Sequence, residues 1–475
     1  MAHDLRRRDF LRGTAAACML GLAAPGLLAA APTPGGITLI SPGCRRTKVR
    51  VGKLYLGMPG AHWPTPKLDL KAEVQAYEQR FAQMGKELAD VEFVGNDLVS
   101  SGEQLAALKP KLQDVDGILA IHLSMGIGGI LNEIVALQRP TMLFAAPYSG
   151  HEWVGYGGLR QRPEGALVDC MLTADYTQLA VAVRPFRAIH HLREAKILDV
   201  TTRDPGGYIQ AVKDKFGTEI KVIGRERVLA AYEAVPDDEA RLEARQWLRQ
   251  AKKVVEPPEE EVVKSCKLAL AFERLLAEED ATVITVDCYG TMWRQLPAYP
   301  CIGFTRLNNM GLGGICESDL RSAMTYVLFQ GLTGRPGFIS DPTVDESQDA
   351  IILAHCMGTT KMDGPDGPAA PYKLRTIMER QEGAVCQVKM RLGQQVTQVQ
   401  LVGTDTLLYF TGEIIDTPDL ERGCRTKITV KVDGDIHKLW HNWSSGLHRV
   451  TCYGDLTEDL QRFCRFKQLN LVNEV

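Results

Sequence analysis

Gly117-Ile-Leu-Ala-Ile-His122, then Ile127 to Leu137 with helical apolar spacing, then Thr141-Met-Leu-Phe-Ala-Ala146: this stretch decides the fold. Two short, wholly apolar runs flank a helical segment, which is how strands buried on both faces of a parallel sheet read. Upstream the pattern continues. Residues 48–58 alternate like a strand, Leu68 to Leu88 has helical spacing, Val91-Glu-Phe-Val-Gly95 is strand-like, and Gly102 to Leu112 is again helical. Such alternation predicts a parallel α/β sheet. Ligands of open α/β sheets bind at the carboxyl ends of strands, so the loop His122-Leu-Ser-Met-Gly126-Ile-Gly128-Gly129 is a candidate binding loop. Its glycines do not form G-x-G-x-x-G, and tight-turn geometry is the stronger reading of them.

A second α/β segment begins near His190-His191. Lys196-Ile-Leu-Asp-Val200 and Glu219-Ile-Lys-Val-Ile223 read as strands, Tyr208 to Phe216 as a helix, and Ala281-Thr-Val-Ile-Thr-Val-Asp287 as a buried strand ending in an acid. Between them, Pro236 to Val254 and Glu259 to Glu279 read as helices on either side of Pro257-Pro258, their charge runs marking solvated faces. Beyond about residue 365 the character changes. Val385–Met390, Val396–Leu401, Leu407–Phe410 and Lys427–Val432 are strand-like and separated by Gly and Asp. The expected fold class is α/β: two Rossmann-like α/β domains (32–185 and 186–335) followed by a β-rich, barrel- or sandwich-like domain (336–475).

Composition bounds the function. The 475 residues are 45% hydrophobic and 24% charged, close to average globular usage. A net charge of −3 offers no basic footprint for a phosphate backbone, so no nucleic-acid partner is expected. Residues 1–31 hold Arg6-Arg-Arg-Asp-Phe-Leu-Arg12, a weakly apolar stretch and a small-residue end at Ala29-Ala-Ala31. That order resembles a Tat signal and predicts export, through the Tat translocation machinery, to the periplasm or beyond. No later window is apolar enough to span a membrane. The remaining cysteines form no C-x-x-C pair, and a chain folded before export would bury them as small hydrophobes.

The densest chemistry lies between Pro300 and Asp363. It contains Cys316-Glu317-Ser-Asp319-Leu320, Ser340-Asp341-Pro342 and Leu353-Ala-His355-Cys356, and the tail adds Gly446-Leu-His448-Arg449-Val-Thr-Cys-Tyr-Gly454. Taken singly, these have ordinary uses: Glu317 can cap the following helix, Asp341-Pro342 is a turn dipeptide, and His355 suits an apolar core. Together, in this order, they resemble the L-fucose/L-arabinose isomerase superfamily. Two α/β domains followed by a β-rich one fit that family along the whole mature chain.

The resemblance implies a metal-dependent aldose–ketose isomerase acting on a sugar or sugar derivative. Moving a carbonyl between C1 and C2 requires a base for the acidified C–H proton, its return to the neighbouring carbon, and stabilisation of the enediolate oxygens. Mn²⁺ or Mg²⁺ suits the last task, held by carboxylates and imidazole with sites left open. By resemblance Glu317, Asp341 and His448 are ligands, the two carboxylates are also the proton-transfer groups, and His355 is a fourth ligand. Asp287 and Arg306, placed at a strand end and in the loop after it, are candidate sugar contacts or structural ion-pair partners, and Trp443 offers a ring face or core packing. The resemblance also implies a homo-oligomer, trimer or hexamer, in which His62 and Trp63 reach a neighbouring site. Two other readings compete: an exported sugar-binding protein without turnover, and a metal-dependent lyase or epimerase.

Overall fold

The computed structural model describes residues 37–475, so the signal reading of residues 1–31 lies outside the described residues. Gly117–His122 and Thr141–Ala145 are strands buried along their whole length. They lie inside a five-stranded parallel sheet ordered Val91–Val99, Val49–Leu56, Gly117–His122, Thr141–Ala145, Val168–Leu172. Alternate side chains feed opposite faces: Leu119 and Ile121 join Tyr55, Phe144 and Phe186 on one side, while Ile118 and Ala120 join Leu54, Leu105 and Leu131 on the other. The helices start where expected. Asp69 caps Leu70–Gln83 through the amides of Lys71 and Ala72, and Ser101 caps Gly102–Leu112 through Gln104.

The helix Arg184–Glu194 ties this sheet to the rest of the chain. His190 Nδ1 lies 2.9 Å from the Asp116 carboxylate, just ahead of the central strand, and both groups are buried. Burial disfavours the imidazolium, but Asp116 and Glu194 outweigh it and raise His190 above its ordinary value. A folded-state pKa above the unfolded one, about 6.5, gives stability that is full below that pH. It is lost as pH rises through the folded value. The melting-temperature gap between wild type and His190→Gln is therefore expected to narrow from pH 6 to pH 9; a gap that widened would contradict this pairing.

The second sheet is also parallel, ordered Gly313–Cys316, Val283–Val286, Lys196–Val200, Glu219–Ile223. Its edge strand Gly313–Cys316 lies hard against the helix Cys301–Asn309: a Cβ on Gly314 would stand 2.4 Å from Phe304 Cα. Asn308 then brackets that strand, its amide nitrogen donating to Gly314 O at 3.3 Å and its oxygen accepting from Gly314 N at 2.7 Å.

The C-terminal strands close on themselves. Gln395–Val402, Arg449–Tyr453, Phe338–Asp345, Ala350–His355, Thr426–Val432 and Thr406–Asp416 form antiparallel neighbours in that order, and pairing of the last with the first completes a barrel-like cylinder. Phe338, Ile351, Leu353, Val396, Phe410 and Ile428 fill one core. On another face Val399 and Val450 pack against the helix Leu320–Thr333, which is buried nearly all round. A three-stranded sheet, Val385–Val388, Tyr372–Arg375 and Lys253–Val254, joins the second α/β segment to the β-rich part. The described cysteines are free thiols, all buried except the half-buried Cys170 and Cys424. No described helix is long and apolar enough to cross a membrane.

Candidate active site

Register gathers the site at the barrel rim. Asp341 pairs with Ala354, one residue before His355, and Ser340 pairs with Arg449, which sets Asp341 opposite His448. Glu317 arrives from the other side, directly after the carboxyl end of Gly313–Cys316. Its backbone is unusual: Glu317 and Ser318 have φ of 67° and 54°, a left-handed pair that non-glycine residues adopt only under external constraint. The constraint is visible. Ser318 N donates to Val286 O at 3.1 Å, the Ser318 hydroxyl binds Asp199, and Arg203 Nη2 donates to Glu317 O at 3.2 Å.

Capping of the following helix falls to Asp319 rather than Glu317. Asp319 Oδ1 accepts from the amides of Arg321 and Ser322 at 3.0 Å, which leaves Glu317 free to face the barrel. The other Asp319 oxygen lies 2.9 Å from His448 Nδ1. This fixes the ring and aims Nε2 at Asp341 Oδ1, 3.2 Å away, and Glu317 Oε2, 3.7 Å away. His355 Nε2 lies 3.5 Å from Glu317 Oε1, and one ligand atom each from Glu317, His355 and His448 falls within 4.8 Å of the others.

Electrostatics agree with geometry. Burial resists charge on every member, yet Asp319, Asp341 and Glu317 outweigh it at His448, raising its pKa to about 10. Against the same burial, the two histidines hold Glu317 and Asp341 below their ordinary values. Asp341 Oδ1 and His448 Nε2 are buried facing each other at 3.2 Å without hydrogen-bond geometry, and both ring nitrogens of His355 are buried without a hydrogen-bond partner among the described residues. Buried polar atoms are nearly always satisfied, and four such atoms in one cluster of carboxylates and imidazoles fit the donor set of a hard or borderline divalent cation. The field that keeps a proton on His448 is the field such a cation needs. Glu317, Asp319 and His448 also line a cavity of about 510 Å³, with Arg203, Tyr208, Arg321 and Gln400 on its other walls.

The remaining predicted residues stand apart. Arg306 lies in the helix Cys301–Asn309, not in a loop, and its buried guanidinium is held by Glu243 at 3.0 Å and Glu273 at 2.5 Å. Of its two sequence readings, the structure displays the ion pair. Asp287 ends its strand as expected, but its oxygens are taken by Thr201, Thr291 and Arg203. Trp443 packs on Phe410 and under Arg449, with its ring 4.1 Å from the guanidinium carbon. Trp63 packs on His151 of the same chain at 4.8 Å. The His122 loop is a tight turn with Gly126 at φ 96°, where His122 Nε2 sits 3.1 Å from Glu152. Sequence reasoning did not single out Asp319 as a site residue. Its signal was present in Glu317-Ser-Asp319, where the second acid reads first as a helix cap.

Two parallel α/β sheets and a closed antiparallel barrel, with a carboxylate–imidazole cluster where the second sheet meets the barrel rim, make this a mixed α/β protein with a candidate metal-binding group at that junction. No protein-family model matches the chain. It is similar to the sulfoquinovose isomerase of Alkalicoccus urumqiensis, at 21% identity over 313 residues, covering 60% of this chain and 67% of that protein. It is also similar to the sulfoquinovose isomerase of Clostridium sp. (strain MSTE9), at 23% identity over 204 residues, covering 41% of this chain and 44% of that protein. These distant relatives support a sugar isomerase. The matched region spans about two thirds of the first relative's length and less than half of the second's.

Proposed function

We propose that this chain is a metal-dependent aldose–ketose isomerase of an anionic sugar, with sulfoquinovose as the first substrate to test. The observation that carries the reading is the meeting of the buried His355 and His448 with the half-buried Glu317 and Asp341, whose polar atoms include several without a hydrogen-bond partner among the described residues. Glu317, Asp341 and His448, with His355 as a fourth donor, would hold a divalent ion such as Mn²⁺ or Mg²⁺, which supplies polarisation of the two sugar oxygens. The chain's own residues do the rest. One of Glu317 and Asp341, both held ionised, would take the proton from the carbon beside the carbonyl and return it to the neighbouring carbon, while the other passes the hydroxyl proton from the oxygen that becomes the carbonyl to the one that becomes the alcohol. Asp319 keeps the His448 ring oriented.

The cavity supports the substrate class. Arg321 forms no ion pair with a described acid; its Nη1 donates to Ser445 O at 2.8 Å, beside the turn that carries His448. The buried Tyr208 hydroxyl oxygen has no hydrogen-bond partner among the described residues, and Arg321 is the cation that would meet an anionic substituent, Arg203 on the same wall being paired with Asp287 at 2.9 Å. Tat-dependent export to the periplasm and a homo-oligomeric assembly belong to the same proposal.

The test is to incubate the manganese-loaded protein with sulfoquinovose, L-fucose and L-arabinose in D₂O and follow C1 and C2 by NMR. Ketose formation from the sulfonated sugar, with KM raised roughly tenfold to hundredfold in Arg321→Met, is the expected result. Binding without turnover would replace this reading with a sugar-binding protein, and a dehydrated or epimerised product would replace it with a lyase or epimerase.

A further inference from the structure

One residue past His355 the barrel strand delivers a thiol. Cys356 is buried, and its Sγ, the Cys424 Sγ and a Glu379 carboxylate oxygen lie within 4.8 Å of one another. Cys424 Sγ is 3.2 Å from Glu379 Oε1, and the Tyr289 hydroxyl lies 3.7 Å from Cys356 Sγ and 3.4 Å from Glu379 Oε2. Four separate chain segments thus bring two sulfurs, a carboxylate and a phenol to one point. The only side chains hydrogen-bonded to Glu379 among the described residues are Tyr289 and Cys424.

The other thiol-containing cluster, Cys44, His190 and Glu194, is different. There both ring nitrogens of His190 are taken, Nδ1 by Asp116 and Nε2 by Thr47 O, so no free imidazole donor remains.

We propose that Cys356, Cys424 and Glu379 form a second metal site that takes a thiophilic divalent ion such as Zn²⁺. Zn–S distances of about 2.3 Å and Zn–O distances of about 2.0–2.2 Å place the donors of one tetrahedral ion under about 4 Å apart. Donors within 4.8 Å reach that arrangement by small side-chain rotations. Softness separates the two centres: thiolates select zinc-like ions, whereas the oxygen-rich set of Glu317, Asp341 and His448 suits harder ones. Glu379 is exposed and Cys424 half-buried, which gives the ion a way in, and Tyr289 or water completes the shell. Binding balances without an oxidant: two thiols and Zn²⁺ give a zinc dithiolate and two protons released to solvent. This site does not depend on the isomerase reading.

The experiment titrates the reduced, full-length protein with Co²⁺ and records sulfur-to-cobalt charge-transfer absorption, then displaces Co²⁺ with Zn²⁺. The band is expected in wild type and in Glu317→Gln, which alters only the other centre. It is expected to vanish in Cys424→Ser and to shift in Glu379→Gln, with both variants melting as the wild type does. A wild type without the band, or a band that survives in Cys424→Ser, overturns the site. So does peptide mapping that finds Cys356 and Cys424 joined as a disulfide in protein taken from its host.

Discussion

Glu317→Gln is expected to lower turnover roughly 10²–10⁴-fold while leaving the melting temperature near that of the wild type. The substitution keeps the side chain's shape and removes the charge. Glu317 touches the two site histidines and no lysine or arginine with its carboxylate, and its turn is held by Ser318 N donating to Val286 O and by Arg203 donating to Glu317 O, main-chain atoms that glutamine retains. Under the proposed function the loss of charge acts twice, on the proton-transfer group and on the donor set for the cation. Asp319→Asn provides the graded comparison. Asparagine has one carbonyl oxygen where the carboxylate has two, so it keeps either the helix cap or the His448 contact; because Asp319 acts only through His448, the expected loss is smaller, within roughly 10–100-fold, in metal affinity or kcat/KM. Steady-state kinetics on both variants, with metal content by mass spectrometry, decide the roles. Near-wild-type rates in Glu317→Gln would remove Glu317 from the chemistry, and a larger loss in Asp319→Asn would exchange the two assignments.

The second large effect is on stability. Arg449→Met is expected to destabilise the fold by about 3–5 kcal/mol, because it strands a buried carboxylate. Arg449 is fully buried and meets the equally buried Glu474 through two parallel bonds, Nε to Oε2 at 2.9 Å and Nη2 to Oε1 at 2.6 Å. The same guanidinium donates to His448 O at 3.0 Å and Ser444 O at 3.2 Å, so the ion pair also clamps the turn that presents His448. Urea unfolding of Arg449→Met, Glu474→Gln and the double variant measures this. The double variant should recover part of the loss, since no uncompensated charge remains buried. Additive losses would show that the two side chains act independently.

Several elements were legible because local pattern and burial coincide in them. Gly117–His122 and Thr141–Ala145 are buried throughout and largely apolar because helices cover both sheet faces, and the C-terminal strands alternate around turns. The helix carrying Arg306 was hidden by Pro300 and Gly303, which read as a loop. Gly303 is tolerated because a Cβ there would stand 3.2 Å from Ala269 Cα, so tertiary packing demands the residue that helix propensity disfavours. Asp341-Pro342 reads as a turn yet lies in a strand. Pro342 falls where that strand has its neighbour Ala350–His355 on one side, the pairing with Arg449–Tyr453 having ended at Ser340, so its missing N–H costs no ladder bond.

Read linearly, the chain displays the order of parallel and antiparallel segments, the acids and imidazoles of the candidate site, and the resemblance that joins them. Those properties live in local periodicity and residue type, which a linear chain displays directly. Folding alone brings Asp341, His355 and His448 to one barrel rim, carries Glu317 to them through a strained left-handed turn, and lets Asp319 both cap a helix and orient His448. It also assigns Arg306 to an ion pair and Trp443 to packing. Strand register and barrel closure set these contacts between residues distant in the chain, and no local pattern encodes them.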